Sequence, residues 1–193
     1  MLQRMTLALM FLAALGAYTV PRADATIVIK KTLTQLSAES ERIVEGKVVE
    51  RSAAYAPGTG IIFTHYRLRI TRSLKGQAVQ SLVVSEVGGT VGDITQRVAG
   101  MPQYALGETV LLMLKKDALG HWRTHGLSQG AFRMNWNPAA KDWVVRLDRG
   151  LSHVWSKEVP KDMRSATDTV ALEDFEDVVA DLVAKAQEKK EKK

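Results

Sequence analysis

The pentapeptide Gly126-Leu127-Ser128-Gln129-Gly130 fits the G-x-S-x-G pattern, which in α/β hydrolases presents a serine nucleophile on a sharp turn between a strand and a helix. Asp142 or Asp148, and then His153, follow in the chain order of such a triad. However, the residues after the pentapeptide alternate as a strand, and no β-α-β rhythm surrounds it. The pattern therefore predicts a tight β-turn, and a small serine hydrolase that uses Ser128 and His153 is a less favoured alternative.

Two histidines, His121 and His125, are four residues apart, a spacing that on a helix would bring both to one metal ion. Trp122 and Thr124 lie between them, with glycines outside, and this pattern favours a strand. On a strand, positions four apart are about 13 Å from each other. The chain also has no cysteine, which excludes thiolate ligands, thiolate nucleophiles and disulfides. We therefore expect no metal site, no cofactor and no catalytic residues.

A glycine-rich segment from Gly88 to Asp93 resembles a phosphate-binding loop only in its glycine content. It lacks the Lys-Ser/Thr pair of a P-loop, and no helix follows it. The segment is predicted to be a wide turn between strands, and a binding loop on the rim of a barrel is the alternative. The candidate binding residues in this segment are Gly88, Gly89, Thr90, Gly92 and Asp93.

A basic row formed by His65, Arg67 and Arg69 projects from one face of a predicted strand, with Lys75 near its end. Such a row could contact an anionic polymer or an acidic partner, or it could be the solvated side of the sheet. The formal net charge of +6 supports nucleic-acid binding only weakly, because five lysines lie in the last nine residues. We therefore expect no nucleic-acid partner, and the three residues remain candidate binding residues.

The N-terminus has the three parts of a secretory signal peptide. Arg4 precedes an apolar run from Met5 to Val20, and Ala23-Asp24-Ala25 supplies the small residues of a cleavage site. The run is shorter than the roughly 20 residues that span a bilayer. We expect residues 1–25 to be removed and the mature protein to be periplasmic or secreted by a bacterium.

The rest of the chain is predicted to be a mainly β domain over residues 26–155. Thr32 and Gln35 have the spacing of a capping box, which indicates a short N-terminal helix up to about Ser40. Alternating and apolar segments then predict strands, the first of them interrupted at Gly46, where a bulge is expected. The predicted strands are Ile43–Arg51, Ile62–Thr71, Leu82–Val87, Ile94–Val98, Thr109–Leu114, His121–His125 and a final hairpin over 132–147. Such a series is typical of a sandwich or a small antiparallel barrel, closed or partly open.

Aromatic residues gather in the last third of the chain and at its predicted hairpin. They are Trp122, Phe132, Trp136, Trp143 and Trp155. We expect them to pack in the core, and a platform for stacking sugars or bases is the alternative.

The C-terminal part changes from strands to one helix. Residues 156–167 are predicted to be a linker, residues 168–187 an amphipathic helix with Asp168 as its N-cap, and residues 188–193 a lysine-rich tail. The apolar stripe of the helix steps by three and four through Leu172, Phe175, Val179 and Leu182. We expect this stripe to pack on the barrel, and docking onto a partner is the alternative.

Several motifs follow one another in an order that is more specific than any one of them. They are Leu36–Val48, Phe63–Tyr66, Ser73–Gly76, Gly88–Gly92, Gly100–Pro102, Leu106–Leu112 and Gly126–Phe132. Over roughly residues 30–150 the chain resembles a family of exported bacterial proteins with an OB-like β-barrel, some of them encoded near or fused to matrixin-type zinc proteases. The resemblance implies an OB-like barrel and places the G-x-S-x-G match in a turn inside it. It carries no established catalytic residues.

Taken with the export signal, these observations predict a non-catalytic binding or accessory module that acts on another extracytoplasmic protein, with a secreted protease as one such partner. The alternative is a binder of an anionic polymer or nucleic acid that uses the Arg67 and Arg69 face.

Overall fold

The structure is a computed structural model that describes residues 29–146, 159, 163 and 169–192. The predicted signal peptide lies outside the described residues, and so do Asp148, His153, Trp155 and Asp168.

The first element is the short helix α1 (Leu33–Glu39). The Thr32 hydroxyl accepts a hydrogen bond from the backbone N–H of Gln35 at 3.1 Å, and the Gln35 side-chain oxygen accepts one from the Thr32 N–H at 2.9 Å. This reciprocal pair satisfies two of the free N–H groups at the helix start. The predicted capping box is therefore confirmed.

Ten strands make up nearly half of the described chain. They are β1 (Arg42–Tyr55), β2 (Ile62–Lys75), β3 (Ser81–Val87), β4 (Gly89–Val91), β5 (Ile94–Gln96), β6 (Thr109–Lys116), β7 (Trp122–Thr124), β8 (Ala131–Asn137), β9 (Asp142–Arg146) and β10 (Thr169–Ala171). Eight of them form one sheet in the order β1-β2-β3-β7-β6-β8-β9-β10, and β4 and β5 form a separate hairpin. The mainly β prediction is confirmed.

Five strands of this sheet pair in a cycle, because β6 pairs with β1 as well as with β7 and β8. The pairs within the cycle are antiparallel except for β3 and β7, which are parallel. Among the described residues, β3 and β7 are paired at one register position only, Val84 opposite Trp122. We call this contact the β3–β7 seam.

The interruption predicted at Gly46 is a real irregularity of β1. The register between β1 and β2 shifts between Glu45 and Gly46. A Cβ atom at this glycine would lie 2.7 Å from the backbone oxygen of Arg69, so the close approach of the two strands requires glycine.

The strand β6 separates two layers of the core. Val110, Leu112 and Leu114 pack in the cluster enclosed by the five-strand cycle. Leu111 and Met113 pack in the cluster on the other face, beneath the helices. The five apolar residues of β6 are all fully buried, as expected from a segment that is apolar at every position.

The C-terminal helix α2 (Leu172–Glu191) packs on this second cluster and confirms the predicted docking of its apolar stripe. It begins and ends later than the sequence predicts. The start is later because Thr169–Ala171 pairs with β9 as a strand, and the helix continues into the segment predicted to be a tail. The segment predicted to be a linker also contributes to the core, since Val159 is fully buried there and Met163 packs against it.

Candidate binding face

The strand β2 separates an inward and an outward set of side chains. Ile62, Thr64, Tyr66 and Leu68 are buried. The outward set includes the exposed Arg67 and Arg69 and the half-buried His65. This is the alternation predicted from the sequence, and it places the three candidate residues of the basic row on one face.

Lys75 does not belong to this face. Its ammonium donates hydrogen bonds to the carbonyl oxygens of Ser37 at 2.7 Å and Ala38 at 3.0 Å. These carbonyls lie in the last turn of α1, where a cation is favoured by the helix dipole. Lys75 therefore has a structural role at the end of the helix.

The strand β7 adds two residues to the outward face across the β3–β7 seam. Trp122 packs with Val84 in the enclosed core, so that the neighbouring His121 and Arg123 lie on the other side of the sheet, with His65. The ring of Phe63 connects them, with its centroid 5.9 Å from that of His121 and 5.3 Å from the guanidinium carbon of Arg123.

We call these residues the basic sheet face. It consists of Phe63, His65, Arg67, Arg69, His121 and Arg123. From the sequence, His121 is a candidate only for a metal ligand, and Arg123 is not among the candidate residues. The usable signal was the alternation of β7, in which Trp122 and Thr124 point inward.

Carboxylates neutralise much of the positive charge of the face. Glu50 accepts a hydrogen bond from Arg67 at 2.7 Å. Arg123 lies between two carboxylates, with its Nε 3.4 Å from Glu86 and its Nη1 3.6 Å from Asp117. Among the described residues, Arg69 forms no ion pair. One of the three arginines is therefore free to bind an external group.

The environment of the histidine in the basic row favours its neutral form. Burial lowers the pKa of His65 below its usual 6.5, and the charge of His121 lowers it further. Its Nδ1 is instead hydrogen-bonded to the hydroxyl of Ser85 at 2.8 Å. The face is consequently less basic than the row of residues indicates.

The carboxyl groups beside Arg123 differ in their environments. Burial raises the pKa of Glu86, although hydrogen bonds from Thr124 and the charge of Arg123 oppose this change. Burial also disfavours ionisation of Asp117, but backbone N–H groups of His121 and Leu119 and the charges of His121 and Arg123 together lower its pKa. The environment of Asp117 therefore favours its charged form, whereas burial favours the protonated form of Glu86.

Two serines lie in settings that resemble those of nucleophiles, Ser85 beside a histidine and Ser128 in the G-x-S-x-G segment. Ser85 contacts His65, but it is only 3% exposed, so no substrate can reach it. Ser128 is exposed in a 3₁₀ turn (Leu127–Gly130) that follows Gly126 in the left-handed region. A strand, β8, follows this turn, and the strand-to-helix geometry of a nucleophile elbow does not occur there.

The glycine-rich segment is a hairpin, and the prediction of a wide turn is wrong. Gly89–Val91 pairs with Ile94–Gln96, and the turn is confined to Gly92-Asp93. The segment forms a hairpin because it packs on the inward side of β2, where the Thr64 hydroxyl donates a hydrogen bond to the Gly88 oxygen at 2.6 Å.

The two sets of predicted binding residues are therefore on opposite sides of β2. Gly88 and Gly89 are buried against the inward side. Thr90, Gly92 and Asp93 are exposed on the hairpin, whereas the basic row faces outward.

The prediction that the aromatic residues pack in the core holds for some of them and is wrong for two. Phe132 is fully buried against Phe175 of α2, with ring centroids 4.9 Å apart, and Trp122 is partly buried. Trp136 is 52% exposed and Trp143 is 38% exposed. They lie on the face of the β8–β9 hairpin that carries Phe132 and Val145, but near the tip of the hairpin. Their rings contact each other edge to face, with centroids 6.0 Å apart.

Over the described ranges, no group of three or more His, Cys, Asp or Glu side chains is arranged to hold a metal ion. No helix in that part of the chain is sufficiently long and apolar to span a bilayer. Comparison with known proteins gave no match to any family model and no match among the curated proteins.

Proposed function

We propose that the protein is an exported, non-catalytic binding module that acts on another extracytoplasmic protein through the basic sheet face. Export is supported by Arg4, the apolar run from Met5 to Val20 and the small residues that end at Ala25. The resemblance to exported proteins associated with zinc proteases makes a secreted protease the first partner to test.

We further propose that the five-strand cycle is a partly open OB-like barrel. Its support is the pairing order β1-β2-β3-β7-β6 with β6 returning to β1, together with the parallel seam between β3 and β7. OB barrels bind ligands on the face of their second and third strands and on the loops beside it. In this chain that face carries Arg67, Arg69 and the partly exposed Val83.

The observation that carries the protein-binding proposal is the pairing of charges on the face. Arg67 and Arg123 are held by carboxylates, and Phe63 packs beneath Arg123. A surface of ordered, mostly neutralised arginines with an exposed valine suits a partner that offers both charges and apolar groups, as protein surfaces do. A polyanion instead gains its affinity from many unpaired cations.

One observation favours the second candidate, a binder of an anionic polymer. Lys47 of β1 is directly opposite Arg69 of β2. Two cations are therefore neighbours on adjacent strands, and neither is opposite a carboxylate in this strand pair. A phosphate or sulfate group would relieve the repulsion of such a pair.

The test uses protein purified after expression of the complete gene in an exporting host. Immobilised protein is incubated with the envelope and medium fractions of the native bacterium, and the variants Arg69→Glu and Lys189→Glu are compared. Both substitutions change the net charge by the same amount, but Lys189 lies on α2 and not on the basic sheet face. We expect one stoichiometric protein to be captured by the natural protein and by Lys189→Glu, and to be lost with Arg69→Glu. Equal capture by all three would show that the basic sheet face is not the binding surface.

Two further measurements separate the alternatives. Binding to heparin or single-stranded DNA that falls steeply with salt and disappears in Arg69→Glu would support the polymer binder. Labelling of Ser128 by a fluorophosphonate probe, abolished in Ser128→Ala, would show a serine hydrolase and contradict the non-catalytic proposal.

A further inference from the structure

Two arginines are directly opposite each other in the β8–β9 hairpin. Arg133 of β8 is paired with Arg146 of β9, and both side chains are exposed. Opposite positions on neighbouring antiparallel strands place the Cβ atoms about 4.5–5.5 Å apart, and like charges there destabilise the pair. The hairpin therefore holds two positive charges together at a cost in stability.

The side chain of Arg133 is held by hydrogen bonds, whereas that of Arg146 is not held by any other described residue. The Nε of Arg133 donates to Glu108 at 2.6 Å, and its Nη2 donates to the backbone oxygen of Gln103 at 2.8 Å. Among the described residues, the side chain of Arg146 forms no hydrogen bond and no ion pair. Within the described part of the chain, Glu108 thus pairs with Arg133, and no carboxylate pairs with Arg146.

Both arginines line a cleft of about 610 Å³. The rest of the cleft is lined by apolar groups, by Gln103 and by one exposed hydroxyl. These lining residues are Met101, Pro102, Gln103, Ser128 and Ala131. A bare inorganic ion would fill only a small part of this volume. The apolar wall instead suits the carbon skeleton of an organic ligand, because small-molecule sites are mostly apolar with a few polar groups that fix orientation.

We propose that this cleft binds an organic oxyanion. Its carboxylate or phosphate group would lie between Arg133 and Arg146, and its apolar part would contact Met101, Pro102 and Ala131. Guanidinium groups bind both kinds of anion through paired hydrogen bonds. This site shares no residue with the basic sheet face and does not rest on the function proposed above.

The first test is titration of the purified protein with phenyl phosphate, benzoate and inorganic phosphate at constant ionic strength, followed by calorimetry or by the arginine Nε–H signals in NMR spectra. We expect saturable binding of phenyl phosphate or benzoate at up to millimolar concentrations, and the tighter of the two identifies the anionic group. We expect inorganic phosphate to bind more weakly than phenyl phosphate. If neither organic anion binds, or if inorganic phosphate binds as tightly as phenyl phosphate, the proposal is wrong.

The second test separates binding from stability. Arg146→Gln should weaken binding roughly ten- to hundredfold, since it removes a charge-assisted hydrogen bond, while Lys189→Gln on α2 should leave binding unchanged. Arg146→Glu should abolish binding and raise the unfolding midpoint of the free protein, because a glutamate opposite Arg133 replaces a repulsion by an ion pair. If Arg146→Gln bound the probes as the natural protein does, the cleft would not be the site. An Arg146→Glu variant less stable than the natural protein would show that the opposed arginines are structural and overturn the assignment.

Discussion

At the scale of single residues, Gly89 illustrates how one missing side chain fixes the position of a hairpin. Its φ of +140° is in a region that other residues rarely adopt. A Cβ atom there would lie 2.2 Å from the Thr64 hydroxyl oxygen and 3.3 Å from a methyl group of Ile62. The hairpin can approach the inward side of β2 only because this position is glycine.

We predict that Gly89→Ala lowers the free energy of unfolding by roughly 3–5 kcal/mol, since it combines backbone strain with a steric overlap. Urea unfolding followed by circular dichroism measures the change. Gly92→Ala is the matched control: this residue also has positive φ, at +57°, but its Cβ would meet nothing within 4 Å. It should cost only about 1–2 kcal/mol. Equal losses for the two variants would contradict the steric argument, as would the absence of any recovery when Thr64→Ala is combined with Gly89→Ala.

Glu86 is a second residue whose environment leads to a specific prediction. Its side chain is buried, accepts a hydrogen bond from the Thr124 N–H at 2.8 Å and faces the guanidinium of Arg123. Tyr104 lies in the same cluster, bonded to the Thr124 hydroxyl at 2.6 Å. Burial raises the pKa of Glu86 above its usual 4.5, which means that the folded protein holds this proton more tightly than the unfolded chain does.

A raised pKa gives the contribution to stability a definite sign. The contribution is fully present below the unfolded pKa near 4.5 and is lost as the pH rises through the folded pKa. We predict that the unfolding free energy of the natural protein, minus that of Glu86→Gln, falls as the pH rises from 4 to 8. Urea unfolding at several pH values measures this difference. Glu50→Gln is an exposed control that should show no such fall. A difference that increases with pH would mean that Arg123 stabilises the charged form more than burial disfavours it.

At the scale of elements, the helix α2 closes the second layer of the core. Phe175 is fully buried and packs on Phe132. On the same turn the buried Glu176 forms an ion pair with Arg72 of β2. The helix is thus joined to the sheet by an aromatic contact and by a charge pair at adjacent positions.

We predict that Phe175→Ala lowers the free energy of unfolding by about 3–5 kcal/mol, as expected for a large aromatic side chain removed from a core. Denaturant unfolding with tryptophan fluorescence and circular dichroism provides the measurement. Glu173→Ala, an exposed change in the first turn of the same helix, should alter stability by less than about 0.5 kcal/mol. If the two variants were equally stable, α2 would not be packed on the sheet in solution.

The predictable elements are those whose patterns are local. The capping box of α1, the alternation of β2 and the wholly apolar β6 follow from the residues within each segment. The β4–β5 hairpin does not, because its register depends on the contact between Gly89 and Thr64. The late start of α2 could not be predicted either, since Thr169–Ala171 becomes a strand only by pairing with β9.

At the scale of the whole molecule, the candidate site depends on strands far apart in the sequence. His65 and Arg69 could be placed on one face from the period of β2 alone. His121 and Arg123 join them only because β7 is adjacent to β3 in the sheet, and no pattern in the sequence specifies that neighbour. The same limit applies to charge, because the ion pair of Arg67 with Glu50 depends on the register between β1 and β2.

The β3–β7 seam leads to the last prediction, which concerns the order in which the fold opens. The seam has one register pair, Val84 with Trp122, whereas β6 is paired with β1, β7 and β8. Near the seam, the backbone N–H of Thr124 donates a hydrogen bond to the side chain of Glu86. Regions with few backbone pairs open at lower free energy than the whole protein does. We therefore predict that the β7 amides exchange with deuterium through a local opening, while Val110–Leu114 of β6 exchange only on global unfolding.

Native-state hydrogen exchange over a series of low denaturant concentrations tests this order. The β7 amides should give a smaller opening free energy and a weaker denaturant dependence than the β6 amides, because a local opening exposes less surface. In Glu86→Ala the Thr124 amide should lose more protection than β6 does, since its acceptor is gone. If β7 and β6 instead exchanged with one free energy and one denaturant slope, the cycle of strands would open only as a unit. The partly open form of the proposed OB-like barrel would then have to be replaced by a closed one, in which β3 and β7 hold each other as firmly as the antiparallel pairs do.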